Sequence, residues 1–177
     1  MSSFDASAWR ERAKKRFDKR GNNEQLAADM AAIAGLEKIV TWCAGRGIEV
    51  SFSSKDTDGV FDEKEKKLVL NSRLLPQRAL HIGLHECGHI MIGSKKPDQR
   101  YGMGYSHATA EKSNPVANRI DILDEELGAW AKGKTLAKKL YIKVNNDAFL
   151  KDRNRYIMTY IKWVVRAHPY EHGACDD

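Results

Sequence analysis

One five-residue stretch, His85-Glu86-Cys87-Gly88-His89, constrains this 177-residue chain more than any other feature. Histidines four residues apart face the same way on an α-helix, where four residues advance about 400°, just over one turn. Both imidazoles can then reach one tetrahedral Zn²⁺ at about 2.0–2.1 Å. Glu86 follows His85 by about 100°, off the ligand line but beside the position the ion leaves open. There it can take a proton from zinc-bound water and return it to a leaving amine. The flanks predict a buried helix: Leu80, Ile82 and Leu84 precede the motif, and Ile90, Met91 and Ile92 follow it. Gly88 would let another backbone approach closely. The competing account is a buried helix whose two histidines bond to backbone groups.

A third ligand has to come from elsewhere in the chain. His81, one turn before His85, reads as a core histidine or a support for a ligand. The best candidates lie in Asp124-Glu125-Glu126-Leu127-Gly128-Ala129-Trp130. If Val116, Ile120, Leu123, Leu127 and Trp130 set the apolar face of this helix, Glu125 points nearly opposite it and is excluded. Glu126 and Asp124 each fall about 80° from its centre, one on either side. Geometry does not choose between these two.

Apolar spacing orders the rest of the chain. A helix is predicted over 8–20, capped by Asp5 or Ser7 and ended by Gly21. A longer one opens at Asn22 or Asn23, with Leu26, Met30, Ile33, Leu36, Val40 and Cys43 as its buried stripe. Residues 48–53 alternate apolar and polar, as a half-buried strand does. Residues 61–67 are charged and read as exposed. Leu68-Val69-Leu70 is a second strand, pairing with the first in a hairpin or a small sheet. Pro76 suits the first turn of the motif helix. Residues 93–114 form a long irregular segment, and loops of that length are often functional. Asn114-Pro115 starts a helix running to Gly133. Helical stretches follow over 135–141 and 147–167. This order of elements is α+β with helix dominant, one domain over 1–177 with a small β-sheet.

Composition supports an ordered globular chain, 42% hydrophobic and 31% charged. Three scattered cysteines without a CxxC argue against a disulfide framework. Cys87 reads as a small buried helix residue. The first residues lack the apolar core of a signal peptide, and no apolar run is long enough to span a membrane. A cytoplasmic location is expected. The formal net charge is +6, concentrated at the two ends. Residues 1–20 carry seven Lys/Arg against three acids, and residues 138–166 carry eight against two. These ends read as solvated helix faces. The alternative is contact with nucleic acid or an acidic protein.

In these residues the chain resembles the gluzincins, HExxH zinc peptidases whose third ligand is a Glu on a later helix. In that clan the Glu often appears as Glu-x-x-Ala/Ser followed by Asp or Asn, and Glu126-Leu127-Gly128-Ala129 matches. The resemblance therefore selects Glu126 over Asp124. Trp130 departs from the pattern, standing where a polar residue often supports a histidine ligand; Asp124 and Asp121 are the candidates for that part. Over residues 48–140 the arrangement is most similar to small phage- and prophage-associated metallopeptidases of the ImmA/IrrE-like group, which act on DNA-bound regulators. The resemblance implies a zincin-like fold, Zn²⁺ on His85, His89 and Glu126, Glu86 as catalytic base, and a protein or peptide substrate. It also makes Tyr101, Tyr105 and His107 candidates to stabilise an oxyanion, with Arg119 behind them. His168, His172 and Cys175 fit no common metal-site spacing.

Overall fold

A computed structural model describes residues 6–54, 58–93 and 115–166. Among these residues are five helices and a small three-stranded sheet: α1 (Ser7–Arg20), α2 (Asn23–Ala44), β1 (Glu49–Ser53), β2 (Gly59–Asp62), β3 (Lys67–Asn71), α3 (Pro76–Ile92), α4 (Pro115–Lys139) and α5 (Asn146–Arg166). The architecture is α+β with helix dominant.

Local chemistry sets most boundaries. Asn22 caps α2, its side chain accepting from the Gln25 N–H at 2.9 Å. Asn145 caps α5 in the same way, accepting from Asp147 and Ala148 at 3.1 Å each. Pro76 occupies the first turn of α3. The cap of α1 differs from expectation: Ala6 stands there, with no side-chain cap, while Gly21 ends the helix at φ 64° as predicted.

The sheet is mixed, in the order β1-β3-β2. β1 pairs with β3 in parallel, Val50 opposite Leu68, so these two strands do not make a hairpin. The hairpin is β2–β3, with Val60 opposite Val69. The sequence reading missed β2, because Phe61 and Asp62 open a run of charge. Asp62 turns that run back by accepting from the Lys64 and Glu65 N–H groups at 2.9 and 3.0 Å. β2 is left at the edge of the sheet.

α3 lies at the centre. Its residues 79–88 are all buried, as expected of a helix whose side chains are apolar on nearly every side. Leu80, Ile82 and Leu84 pack among Ile33, Leu36 and Ile39 of α2, Leu68 and Leu70 of β3, and Trp130 and Leu136 of α4. Each such side chain contributes ~1.5–3 kcal/mol when fully buried, so the core fixes the position of α3 strongly.

α4 passes straight through Gly133, where the sequence predicted a break. The reason is its contact with α3. A Cβ on Gly133 would stand 2.3 Å from the Leu84 carbonyl oxygen, and one on Gly88 would stand 1.9 Å from that of Ala129. These two contacts, one turn apart, run the helices antiparallel with their backbones touching. The buried face of α4 therefore centres on Asp121, Glu126, Ala129, Trp130, Gly133, Leu136 and Ala137. Ile120 and Leu127, taken from the sequence as part of that face, are 46% and 40% exposed. Among the described residues no helix is long and apolar enough to cross a membrane.

Candidate metal centre

The touching backbones of α3 and α4 bring three side chains together. His85 and His89 project from α3, and Glu126 projects from the buried face of α4. Nε2 of His85 lies 3.2 Å from Nε2 of His89 and 3.1 Å from Glu126 Oε2. Nε2 of His89 lies 3.5 Å from Glu126 Oε1. Four ligands at ~2.0–2.1 Å around a tetrahedral ion stand ~3.3–3.4 Å apart, so the three donors already mark one face of such a tetrahedron. His85, His89 and Glu126 thus form a group that could hold a metal ion. Asp124 is exposed and takes no part in it.

The rings are held in two ways. His89 Nδ1 is 3.2 Å from Glu125 Oε1, which leaves Nε2 turned to the group. This corrects the sequence reading, which sent Glu125 to the outer face and looked to Asp124 or Asp121 for this support. With the face of α4 recentred, Glu125 stands at its edge. His85 lies against Trp130, ring centroids 4.7 Å apart and planes 24° apart. The residue that departs from the gluzincin pattern therefore orients its histidine by stacking. His81 points elsewhere, its Nδ1 2.7 Å from Asp152 of α5.

Glu86 is buried beside the group. Its Oε2 accepts the Phe61 N–H of β2 at 3.1 Å, and its Oε1 is 3.9 Å from His85 Nε2. Burial pushes this carboxyl above its ordinary value, against the pull of His85 and His89. Burial works against charge on His89 too, but Glu125 and Glu126 outweigh it and carry His89 up to about 10. Burial likewise opposes charge on Glu126, and the two histidines hold it down to about 2.

These shifts predict how metal-free protein responds to pH. Protonated His89 contributes stability that is complete below about 6.5 and lost as pH rises through about 10. Ionised Glu126 contributes stability that is present above about 4.5 and lost as pH falls through about 2. Urea midpoints of chelator-treated protein should therefore peak between those two windows and decline on the alkaline side. Metal affinity should rise over the same alkaline interval, since the ion displaces the His89 proton. A midpoint that stays flat from about pH 6 to pH 9 contradicts this charge assignment.

The group opens on a cleft of about 350 Å³ lined by Gly59, Val60 and Phe61 of β2 and by Tyr156 and Tyr160 of α5. The Tyr156 hydroxyl is engaged, donating to Asp58, which also takes Arg78 at 2.6 Å. The Tyr160 hydroxyl is pushed up by burial and by the neighbouring Glu126 carboxylate. Sequence reasoning missed both tyrosines. Its own candidates, Tyr101, Tyr105 and His107, lie outside the described residues, as do His168, His172 and Cys175. Arg119 packs on Trp163, its guanidinium 4.9 Å from the ring centre. Cys43 and Cys87, distant in sequence, are buried with their sulfurs 3.9 Å apart. The hydrogen bond to Cys43 and burial push the Cys87 thiol well up, so it is no nucleophile.

Comparison with known proteins adds no family: no family model, no curated protein and no solved structure matches the chain. The site's own geometry carries the functional argument.

Proposed function

We propose that the chain is a zinc peptidase of gluzincin type, with His85, His89 and Glu126 as the metal ligands and Glu86 as the general base. The observation that carries this reading is the placing of Glu86. It is a buried carboxylate that lines the cleft beside a two-histidine, one-carboxylate group, one oxygen tied to the Phe61 N–H and the other 3.9 Å from His85 Nε2. The donor set suits zinc, and zinc supplies a Lewis acid that polarises a carbonyl and makes a water more acidic.

The chain's own residues account for the rest. Glu86, made more basic by burial, takes the proton of the attacking water through its free oxygen and hands it to the leaving amine nitrogen. Glu125 and Trp130 hold the two histidine rings in place. β2 is the edge strand beside the cleft, so an extended peptide can add to it and lay a scissile bond across the site. Among the described residues we assign Tyr160, which lines the cleft, to donate a hydrogen bond to the developing oxyanion. A protein or peptide is therefore the proposed substrate, and a DNA-bound regulator is one such protein.

The test is incubation of zinc-loaded protein with a mixture of host proteins, followed by mass spectrometry of new N-termini. Chelator-sensitive cleavage at defined sites is expected. Tyr160→Phe should slow it by roughly 10²–10³-fold in kcat, the cost of losing one oxyanion donor, with metal content unchanged. Absence of any chelator-sensitive cleavage counts against the peptidase.

A further inference from the structure

The two basic ends of the chain converge on one cleft, separate from the metal centre. It measures about 570 Å³. Arg16 and Arg20 reach it from α1, Arg78 from the start of α3, and Lys151 and Arg155 from α5. Its two carboxylates are already bonded: Asp29 takes Arg16 at 2.7 Å, and Asp152 takes His81 at 2.7 Å. Arg78 is paired with Asp58. Arg20, Lys151 and Arg155 have no carboxylate partner among the described residues. Its lining sets five cations, Arg16, Arg20, Arg78, Lys151 and Arg155, against the two carboxylates Asp29 and Asp152, and this excess, drawn from opposite ends of the sequence into a concavity, focuses a positive field there. The first turn of α3 adds to it: Gln77 and Arg78 line the cleft, and that helix start has no side-chain cap.

We propose that this cleft binds a small ligand carrying two or more phosphate groups. Guanidinium forks match phosphate oxygens in shape as well as in charge. Arg20, Lys151 and Arg155 stand on two separate helices and offer distinct partners to more than one phosphate group. The volume falls in the range of ~300–1,000 Å³ typical of small-ligand sites, whereas a nucleic-acid strand needs an extended groove. Leu75, 56% exposed, and Ala148 give the cleft an apolar wall for the rest of such a molecule. The site is independent of the peptidase reading and can fail or survive without it.

Calorimetric titration of the zinc-loaded chain with pyrophosphate, ATP and inorganic phosphate tests this. Pyrophosphate and ATP should saturate one site, with inorganic phosphate weaker by roughly tenfold or more. The exposed pair Arg20→Ala/Arg155→Ala should weaken pyrophosphate by roughly tenfold or more, and Lys151→Gln alone should weaken it in the same direction. Pyrophosphate also chelates metal, so His89→Ala is titrated alongside, and it should bind as the parent does. Binding unchanged in the double variant, or lost in His89→Ala, places the ligand elsewhere and overturns the proposal. So does a lack of saturation at about 1 mM pyrophosphate. A short single-stranded oligonucleotide that binds tighter than pyrophosphate and is lost in the double variant assigns the cleft to nucleic acid instead.

Discussion

Glu86→Gln is expected to keep its full complement of zinc and to hydrolyse substrate roughly 10²–10⁴-fold more slowly, the usual contribution of a general base. The substitution is nearly isosteric. The amide oxygen can still accept the Phe61 N–H that holds the carboxylate at 3.1 Å, so β2 and α3 stay joined. What disappears is the second, basic oxygen. Under the proposed mechanism the loss should fall on kcat, because Glu86 would act on the attacking water and the leaving amine and not on substrate binding. Metal content and cleavage are measured on the same preparation. A variant that keeps both zinc and full biological activity would show that catalysis is not the function. The chain would then be a metal-stabilised binding module, working through its basic helices.

The second large effect concerns folding. Gly88→Ala and Gly133→Ala should each destabilise the protein by about 3 kcal/mol, the upper part of the range for overpacking. Each new methyl would meet a backbone carbonyl, at 1.9 Å from Ala129 O and 2.3 Å from Leu84 O, and backbone cannot step aside as a side chain can. The gain in helix propensity, about 1 kcal/mol for Gly to Ala, does not offset this. In a chain of this length the melting temperature should fall by about 10 °C. Metal affinity should fall with it, since the same close approach carries Glu126 to the histidines. Gly128→Ala on the same helix is the control. Its methyl would meet only Ile92 Cδ1, at 3.5 Å, so it should be neutral or slightly stabilising. Equal losses in all three variants would mean that helix crowding is not what fixes the site.

How much of this was legible in the sequence follows from what each residue signals. His85, Glu86 and His89 share one helix, and their relation depends only on helical geometry, so the motif was readable directly. Glu126 was harder. The large apolar residues of α4 pointed to a face through Ile120 and Leu127, yet the real interface is built around Gly88, Ala129 and Gly133, small residues that carry almost no hydrophobic signal. The face was therefore placed wrongly, and Glu125 was sent to solvent when it supports His89. Only the resemblance singled out Glu126. Trp130 read as a departure from a pattern; its stacking on His85 is a tertiary fact. Tyr156 and Tyr160 lay hidden in a basic helix some 30 residues beyond Glu126. Their four-residue spacing was the one available cue, since it puts both rings on one helix face. β2 was masked by the charge that follows it, and parallel pairing of β1 with β3 has no local signature. The convergence of the two basic ends on one cleft was equally invisible, because charge counts carry no information about distance.

Metal analysis of the purified protein and four variants tests the central claim most directly. The parent and Asp124→Ala should each carry about one zinc per chain, because Asp124 is exposed and apart from the group. His85→Ala and His89→Ala should lose the metal, and Glu126→Ala should bind it far more weakly. Retention of a full equivalent by both histidine variants, or loss of zinc from Asp124→Ala with retention by Glu126→Ala, would contradict the site described here.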